Sequence, residues 1–281
     1  MDWSNLLYSY RRLFVPNSDN IADQNEFYHD CNNRDMIVIT AGDSWTWGDS
    51  LDKNKRLSQV YGRLVAEQFN ADWINIGSRG RSNSWVLKLI EYLILDISAH
   101  YQNIKLIITL TENGRDIETP YTFPYDYRGE YNNINDDVYL DKVLEGAEKF
   151  WSNQLLNIRN ACHSSTTITV GQNFVWNNIN PISGIKMLND NWIEKLADSQ
   201  SISRPIRTNL VTGWIFPNIE YVLDRVPISK TNFNKWALPK IELATKVNEW
   251  LDQSKFNYKK QSKHPTAEGH QIWADYILEK E

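Results

Sequence analysis

MIVITAGDSWTWG, residues 36–48, decides how the chain is read. Its first half, Met36 to Thr40, is a continuous apolar run of the length and β-branched content of a central parallel strand, which is buried on both faces. Ala41-Gly42-Asp43-Ser44 then ends the run with small and polar residues, placing a hydroxyl immediately after a strand. In open α/β sheets, ligands bind beyond the carboxyl ends of the strands. The residues that follow each further strand are therefore the next to read.

A helical pattern carrying Leu57, Val60, Tyr61, Leu64 and Val65 on one side follows, and Trp73 to Ile76 reads as a second strand ending at Gly77. Ser82 and Asn83 suit the cap of a helix from Ser84 to about Ala99. Ile104 to Leu110 is the third strand, ending at Thr111-Glu112-Asn113; a helix near Leu140 to Asn160 leads to a fourth, Thr166 to Val170. Helices near Pro239 to Asp252 and Ala267 to Glu279 close the chain. Strands alternating with helical patterns imply βαβ units and a mostly parallel sheet between two helical layers. Residues 1–35 form an N-terminal arm in which Leu6, Leu7, Tyr10 and Leu13 share one face ahead of Pro16. It either packs on the domain or docks the chain to a larger assembly. The remainder, 36–281, reads as a single domain with insertions at about 117–138 and 173–235.

Composition excludes several classes. With 30 Lys+Arg against 35 Asp+Glu and a net charge of −5, the chain lacks the basic footprint of nucleic-acid or anionic-membrane binders. Its most apolar stretch, Trp85 to Ile97, is interrupted by Lys88, Glu91 and Asp96, short of the roughly eighteen uninterrupted apolar residues a membrane span needs. The start, MDWSNLLYSYRRLF, has no secretory signal pattern, so the expected setting is soluble, cytoplasmic or virion-associated. Cys31 and Cys162 stand far apart and read as reduced thiols. No metal-ligand spacing occurs, and Gly77 and Gly80 without the first glycine of a dinucleotide loop make a poor phosphate site; neither cofactor nor metal is expected.

The strand-end residues form a coherent set. Ser44 follows the first strand, Gly80 lies in Asn75-Ile-Gly-Ser-Arg-Gly-Arg-Ser82 after the second, and Asn113 follows the third. A hydroxyl, an approachable backbone N–H and a side-chain amide supply a nucleophile and oxyanion donors for acyl transfer. The missing base is found in HPTAEGHQIWADYI, where Pro265 keeps His264 extended ahead of the last helix. His270, within that helix, reads as structural.

GDSWTWG with Ser44, N-x-G-x-x-G-R-S with Gly80, Asn113 and the His264 block together resemble the ordered blocks of the SGNH, or GDSL, hydrolases. The resemblance implies a flavodoxin-like α/β/α sandwich and esterase or deacetylase activity. It makes Ser44 the nucleophile, the Ser44 and Gly80 N–H groups with the Asn113 amide the oxyanion hole, and His264 the base, with Gly42 and Asp43 shaping the nucleophile turn. A second Gly-Asp-Ser, residues 48–50, offers Ser50 as a rival, but Ser44 is the one directly after the strand.

The chain departs from the family at the acid. The family motif D-x-x-H is Gln261-Ser-Lys-His264 here. In a serine protease, exchanging the acid for its amide slows catalysis by ~10⁴ through the wrong histidine tautomer. Four arrangements remain open: a backbone carbonyl orients His264, Gln261 does so, an acid arrives from elsewhere (Glu112 and Asp252 being candidates), or the site has decayed. The expected substrate is a short acyl ester, above all an O-acetyl group on carbohydrate. Sugar rings would then stack on Tyr121, Phe123, Tyr125, Tyr127 and Tyr131 in one insertion and Trp176, Trp192, Trp214, Phe216 and Trp236 in the other, unless these fill an aromatic core. The competing class is a weakened or inactive binding or structural protein in an assembly such as a phage particle.

Overall fold

The computed structural model describes residues 2–14, 27–49, 51–79, 81–111, 136–173, 181–192, 195–196, 258–259 and 264–281. In chain order the elements are α1 (Trp3–Phe14), β1 (Tyr28–Asp30), β2 (Met36–Gly42), α2 (Ser44–Trp47), α3 (Lys53–Gln59), α4 (Tyr61–Gln68), β3 (Asp72–Asn75), α5 (Asn83–Ser98) and β4 (Asn103–Leu110). They continue with α6 (Asp136–Ala161), β5 (Thr167–Gln172), β6 (Lys186–Met187), β7 (Tyr258–Lys259), β8 (His264–Pro265) and α7 (Ala267–Lys280).

Side chains alternate along β2, and this alternation builds the two faces of the sheet. Ile37, Ile39 and Ala41 enter one core with Trp85, Leu89 and Leu93 of α5 and Trp151 and Leu155 of α6. Val38 enters the other with Tyr61 and Val65 of α4 and Trp273 and Ile277 of α7. The six-stranded sheet runs β1-β3-β2-β4-β5-β6. All pairs are parallel except β1 with β3. Without its antiparallel edge the order is second-first-third-fourth-fifth, that of flavodoxin-like sheets. The expected three-layer α/β/α architecture is therefore present.

This order fixes where a ligand can sit. The connection from β2 to β3 passes through α4 on one face, and the next, through α5, crosses the other. Neighbouring crossovers thus diverge at β2 and leave a crevice at its carboxyl end. Register aligns the strand ends there, with Thr40 opposite Asn75, Gly42 opposite Thr109, and Leu110 opposite Gln172.

Three sequence expectations change. The helix read through Leu57, Val60 and Val65 is two helices, because Val60 is extended (φ −72°, ψ 144°), ending α3 and starting α4. Leu57 is consequently exposed while Val60 is buried against the other core. The second strand covers Asp72–Asn75 and stops one residue before Ile76, whose N–H still bonds Thr40 O at 2.9 Å. Within 173–235, residues Lys186–Met187 add a parallel strand beside β5. The helix read near Pro239 to Asp252 and most of both insertions lie outside the described residues.

In the N-terminal arm, α1 packs Trp3 and Leu7 into the first core, Trp3 lying 5.7 Å from the Tyr101 ring. Tyr10 donates its hydroxyl to Asp96 at 2.7 Å. Cys31 and Cys162 are free, and burial pushes the Cys31 thiol up to about 12. Among the described residues, no helix is long and apolar enough to cross a membrane.

Candidate active site

The turn after β2 is built around Asp43. Its carboxylate caps α2 by accepting the Trp45 N–H at 2.9 Å. The same side chain accepts from Asn173 Nδ2, beyond β5, at 2.9 Å and from Thr111 Oγ1, beyond β4, at 3.0 Å. Three strand ends are thereby tied to one buried carboxylate. Gly42 has to be glycine, since a Cβ there would come within 2.2 Å of Thr46 Oγ1 and 2.7 Å of the Thr109 carbonyl. Ser44 is the first residue of α2, where an N–H has no carbonyl one turn back to bond. An N–H at the start of a helix is suited to meeting developing negative charge.

Gly48 stops α2 after one turn with a left-handed conformation (φ 82°), its N–H returning to the Ser44 and Trp45 carbonyls. The next N–H, of Asp49, also bonds Ser44 O at 3.1 Å. Arg56 holds this loop from beneath. Its Nε donates to Gly48 O and its Nη2 to Leu51 O, both at 3.0 Å, while Nη1 reaches the Tyr28 hydroxyl at 2.7 Å. The guanidinium stacks on Trp47 at 3.7 Å.

His264 arrives from the far end of the chain. The antiparallel ribbon of β7 and β8 pairs it with Lys259, and Thr266 caps α7 two residues later. Its Nε2 lies 2.8 Å from Ser44 Oγ. For that hydroxyl to donate, neutral His264 must carry its own proton on Nδ1. The same Nε2 stands 3.5 Å from Asp49 Oδ2, and the other oxygen of Asp49 meets Arg79 Nη2 at 2.5 Å. Arg79 also lies over the Trp47 ring, at 5.4 Å.

The structure thus brings together Ser44 and His264, 220 positions apart, among the residues singled out from the sequence. Gly80, Asn113, Gln261 and Ser50 lie outside the described residues, as do the distant acids Glu112 and Asp252. Asn75 serves the architecture of the site. Its amide donates to Thr46 O at 2.9 Å and its oxygen accepts the Gly77 N–H at 2.8 Å, locking the second strand-end loop onto α2. Asn83 likewise exchanges two bonds with the Thr111 backbone, at 3.0 and 2.8 Å.

Several solved structures resemble the chain. They include TesA, with 9% identity and a TM-score of 0.37, covering 87% of this chain and 96% of that one. Phospholipase A1 from Streptomyces albidoflavus NA297 follows at 14% identity and TM-score 0.36, covering 88% and 99%. AlinE4, an SGNH-hydrolase family esterase, has 14% identity and TM-score 0.36, covering 69% and 98%. No protein-family model and no curated protein matches the sequence. The chemistry of the site rests on the Ser44–His264 geometry.

His270 is structural. It is fully buried, stacked on Tyr61 and edge-on to Trp192, and its Nδ1 accepts the Tyr61 N–H at 3.3 Å. Burial, with a smaller contribution from His264, pushes its pKa down to about 3. Trp192, one of the aromatics offered as a sugar platform, is in the core: it lies flat against Trp273 at 5.5 Å and bonds Gly269 O through Nε1 at 3.1 Å. The other nine aromatics lie outside the described residues. Among the described residues, no group of His, Cys, Asp and Glu could hold a metal.

The sequence reading missed Asp49. Its signal was the second Gly-Asp-Ser, weighed for its serine and not for the carboxylate beside it.

Proposed function

We propose that the protein is a serine ester hydrolase that removes short acyl groups, O-acetyl above all, through an acyl-enzyme on Ser44. The single observation that carries this reading is the 2.8 Å contact between Ser44 Oγ and His264 Nε2 at the carboxyl end of β2. A serine within hydrogen-bond reach of an imidazole is the arrangement that activates a hydroxyl as nucleophile.

Oγ attacks the ester carbonyl carbon as its proton passes to Nε2. The oxyanion is met by the Ser44 N–H, with Gly80 N–H and the Asn113 amide as further donors by family resemblance. The imidazolium then protonates the leaving alkoxide, leaving Ser44 acylated. In the second half His264 takes a proton from water, hydroxide adds to the acyl carbon, and collapse returns the proton to Ser44 Oγ. The acyl chain leaves as the acid. The neutral Gln261 in place of the family acid points to slower turnover than a full triad gives.

Acetylated carbohydrate is the proposed substrate class, on the strength of the aromatic-rich insertions, with Trp192 removed from that set. Assay of a small aryl acetate is the test. Wild type hydrolyses it, Ser44→Ala and His264→Ala lose nearly all activity, and a fluorophosphonate labels the peptide at Ser44. No turnover together with no labelling sinks the reading, and labelling at Ser50 reassigns the nucleophile. Faster acetyl release from O-acetylated polysaccharide than hydrolysis of long-chain lipid esters supports the substrate class; the reverse order removes it.

A further inference from the structure

We propose that Asp49 is a positioning residue for His264, supplying from the nucleophile side the negative charge that Gln261 does not. The inference deepens the hydrolase reading and rests on it. Asp49 Oδ2 is 3.5 Å from His264 Nε2, with both side chains mostly shielded from solvent. A charge at that range is only partly screened and can stabilise the positive charge that develops on the ring as Ser44 Oγ gives up its proton.

The carboxylate is held, not incidental. Its backbone N–H bonds Ser44 O, and Arg56 clamps the carbonyls of Gly48 and Leu51 on either side of it. Arg79 engages Oδ1, which leaves Oδ2 for the imidazole. Among the described residues, Ser44 of α2, Asp49 of the following loop with Arg79 behind it, and His270 of α7 lie beside His264 or act on it.

The placement differs from that of the usual acid. A triad carboxylate takes the Nδ1–H and fixes the tautomer. Asp49 faces Nε2, the nitrogen that receives the Ser44 proton. Before transfer the Oγ–H···Nε2 bond leaves Asp49 as a bystander charge. After transfer Oδ2, 3.5 Å away, stabilises the imidazolium electrostatically until the departing alkoxide takes the Nε2 proton. Proton and charge balance throughout, because Asp49 stays a carboxylate.

Kinetics of Asp49 variants test this. In Asp49→Asn the kcat for the aryl acetate is expected to fall about ten-fold with KM little changed, because the lost charge acts only once the imidazolium forms. Asp49→Glu, which restores a carboxylate, is expected to recover most of that kcat, a rescue that a merely structural role does not give. Asp49→Ser, expected to lose kcat likewise, serves if Asp49→Asn does not fold. A kcat lost equally in Asp49→Asn and Asp49→Glu, or a wild type that turns over while Asp49→Asn keeps its kcat, overturns the proposal alone. No turnover and no fluorophosphonate labelling in wild type removes the hydrolase reading and this proposal with it.

Discussion

Asn173 Nδ2 donates to Asp43 Oδ1 at 2.9 Å, joining the end of β5 to the residue that precedes Ser44. That bond orients the amide, and with Thr111 Oγ1 and the Trp45 N–H it gives the Asp43 carboxylate three donors. The turn that carries Ser44 is therefore braced across three neighbouring strand ends. Asp43→Ala removes the helix cap and strands buried donors, at ~1 kcal/mol or more each. Urea unfolding is expected to read a loss of ~3 kcal/mol, with hydrolysis reduced beyond what the folded fraction explains. A loss below ~1 kcal/mol would mean that the brace is dispensable.

Gly42→Ala tests the same turn from the backbone side. The added methyl meets Thr46 Oγ1, which can move, and the Thr109 carbonyl, which belongs to the adjacent strand and cannot. Overpacking of this kind costs ~1–3 kcal/mol, and the rigid partner puts Gly42 at the upper end. Adding Thr46→Ala, which removes the Oγ1 contact, should not restore stability, because the carbonyl at 2.7 Å remains. Full recovery in the double variant would place the strain on Thr46 instead.

How much of this was legible from residues alone follows from the range of the interactions. The run Met36–Thr40, the Ser82 cap, which accepts the Trp85 N–H, and the extended His264 before Pro265 are local signals, and each is found where expected. Val60 fitted the helical period, yet tertiary burial against Gly48 holds it extended, a conformation its β-branched side chain tolerates. β1 has three residues and no readable alternation. Asp49 acquires meaning only when the ribbon of β7 and β8 returns His264 to it, a contact that no local pattern announces.

Trp192 separates an aromatic core from a sugar platform. It is buried among Trp45, Tyr61, His270 and Trp273, with ring distances of 5.1–5.5 Å. Trp192→Ala should cost ~3–5 kcal/mol of stability, the range for deleting a buried large aromatic. Polysaccharide affinity of the folded fraction should be unaltered. Weakened carbohydrate binding at unchanged stability would return Trp192 to the rim.

His270 makes stability depend on pH in a direction that can be worked out. The folded-state pKa is depressed to about 3, against an ordinary value of 6.5, chiefly because burial disfavours the charged ring. A base depressed in this way leaves stability intact above the unfolded pKa. As pH falls from about 6.5 toward about 3, the unfolded chain takes up a proton that the folded one refuses, and stability drops by up to ~1.4 kcal/mol per unit. Asp30 and Glu281 also lose stabilisation in acid: both carboxyls are partly desolvated, yet hydrogen bonds and cationic partners hold them below the usual range. Wild type alone therefore cannot isolate the histidine. His270→Gln can, since the amide oxygen is able to accept the Tyr61 N–H while the side chain does not titrate. Urea unfolding at pH 7, 6, 5 and 4 is expected to give a shallower decline in His270→Gln than in wild type, with the curves separating below the ordinary histidine pKa. Parallel curves would mean that His270 is protonated in the folded protein, contrary to its place between Tyr61 and Trp192.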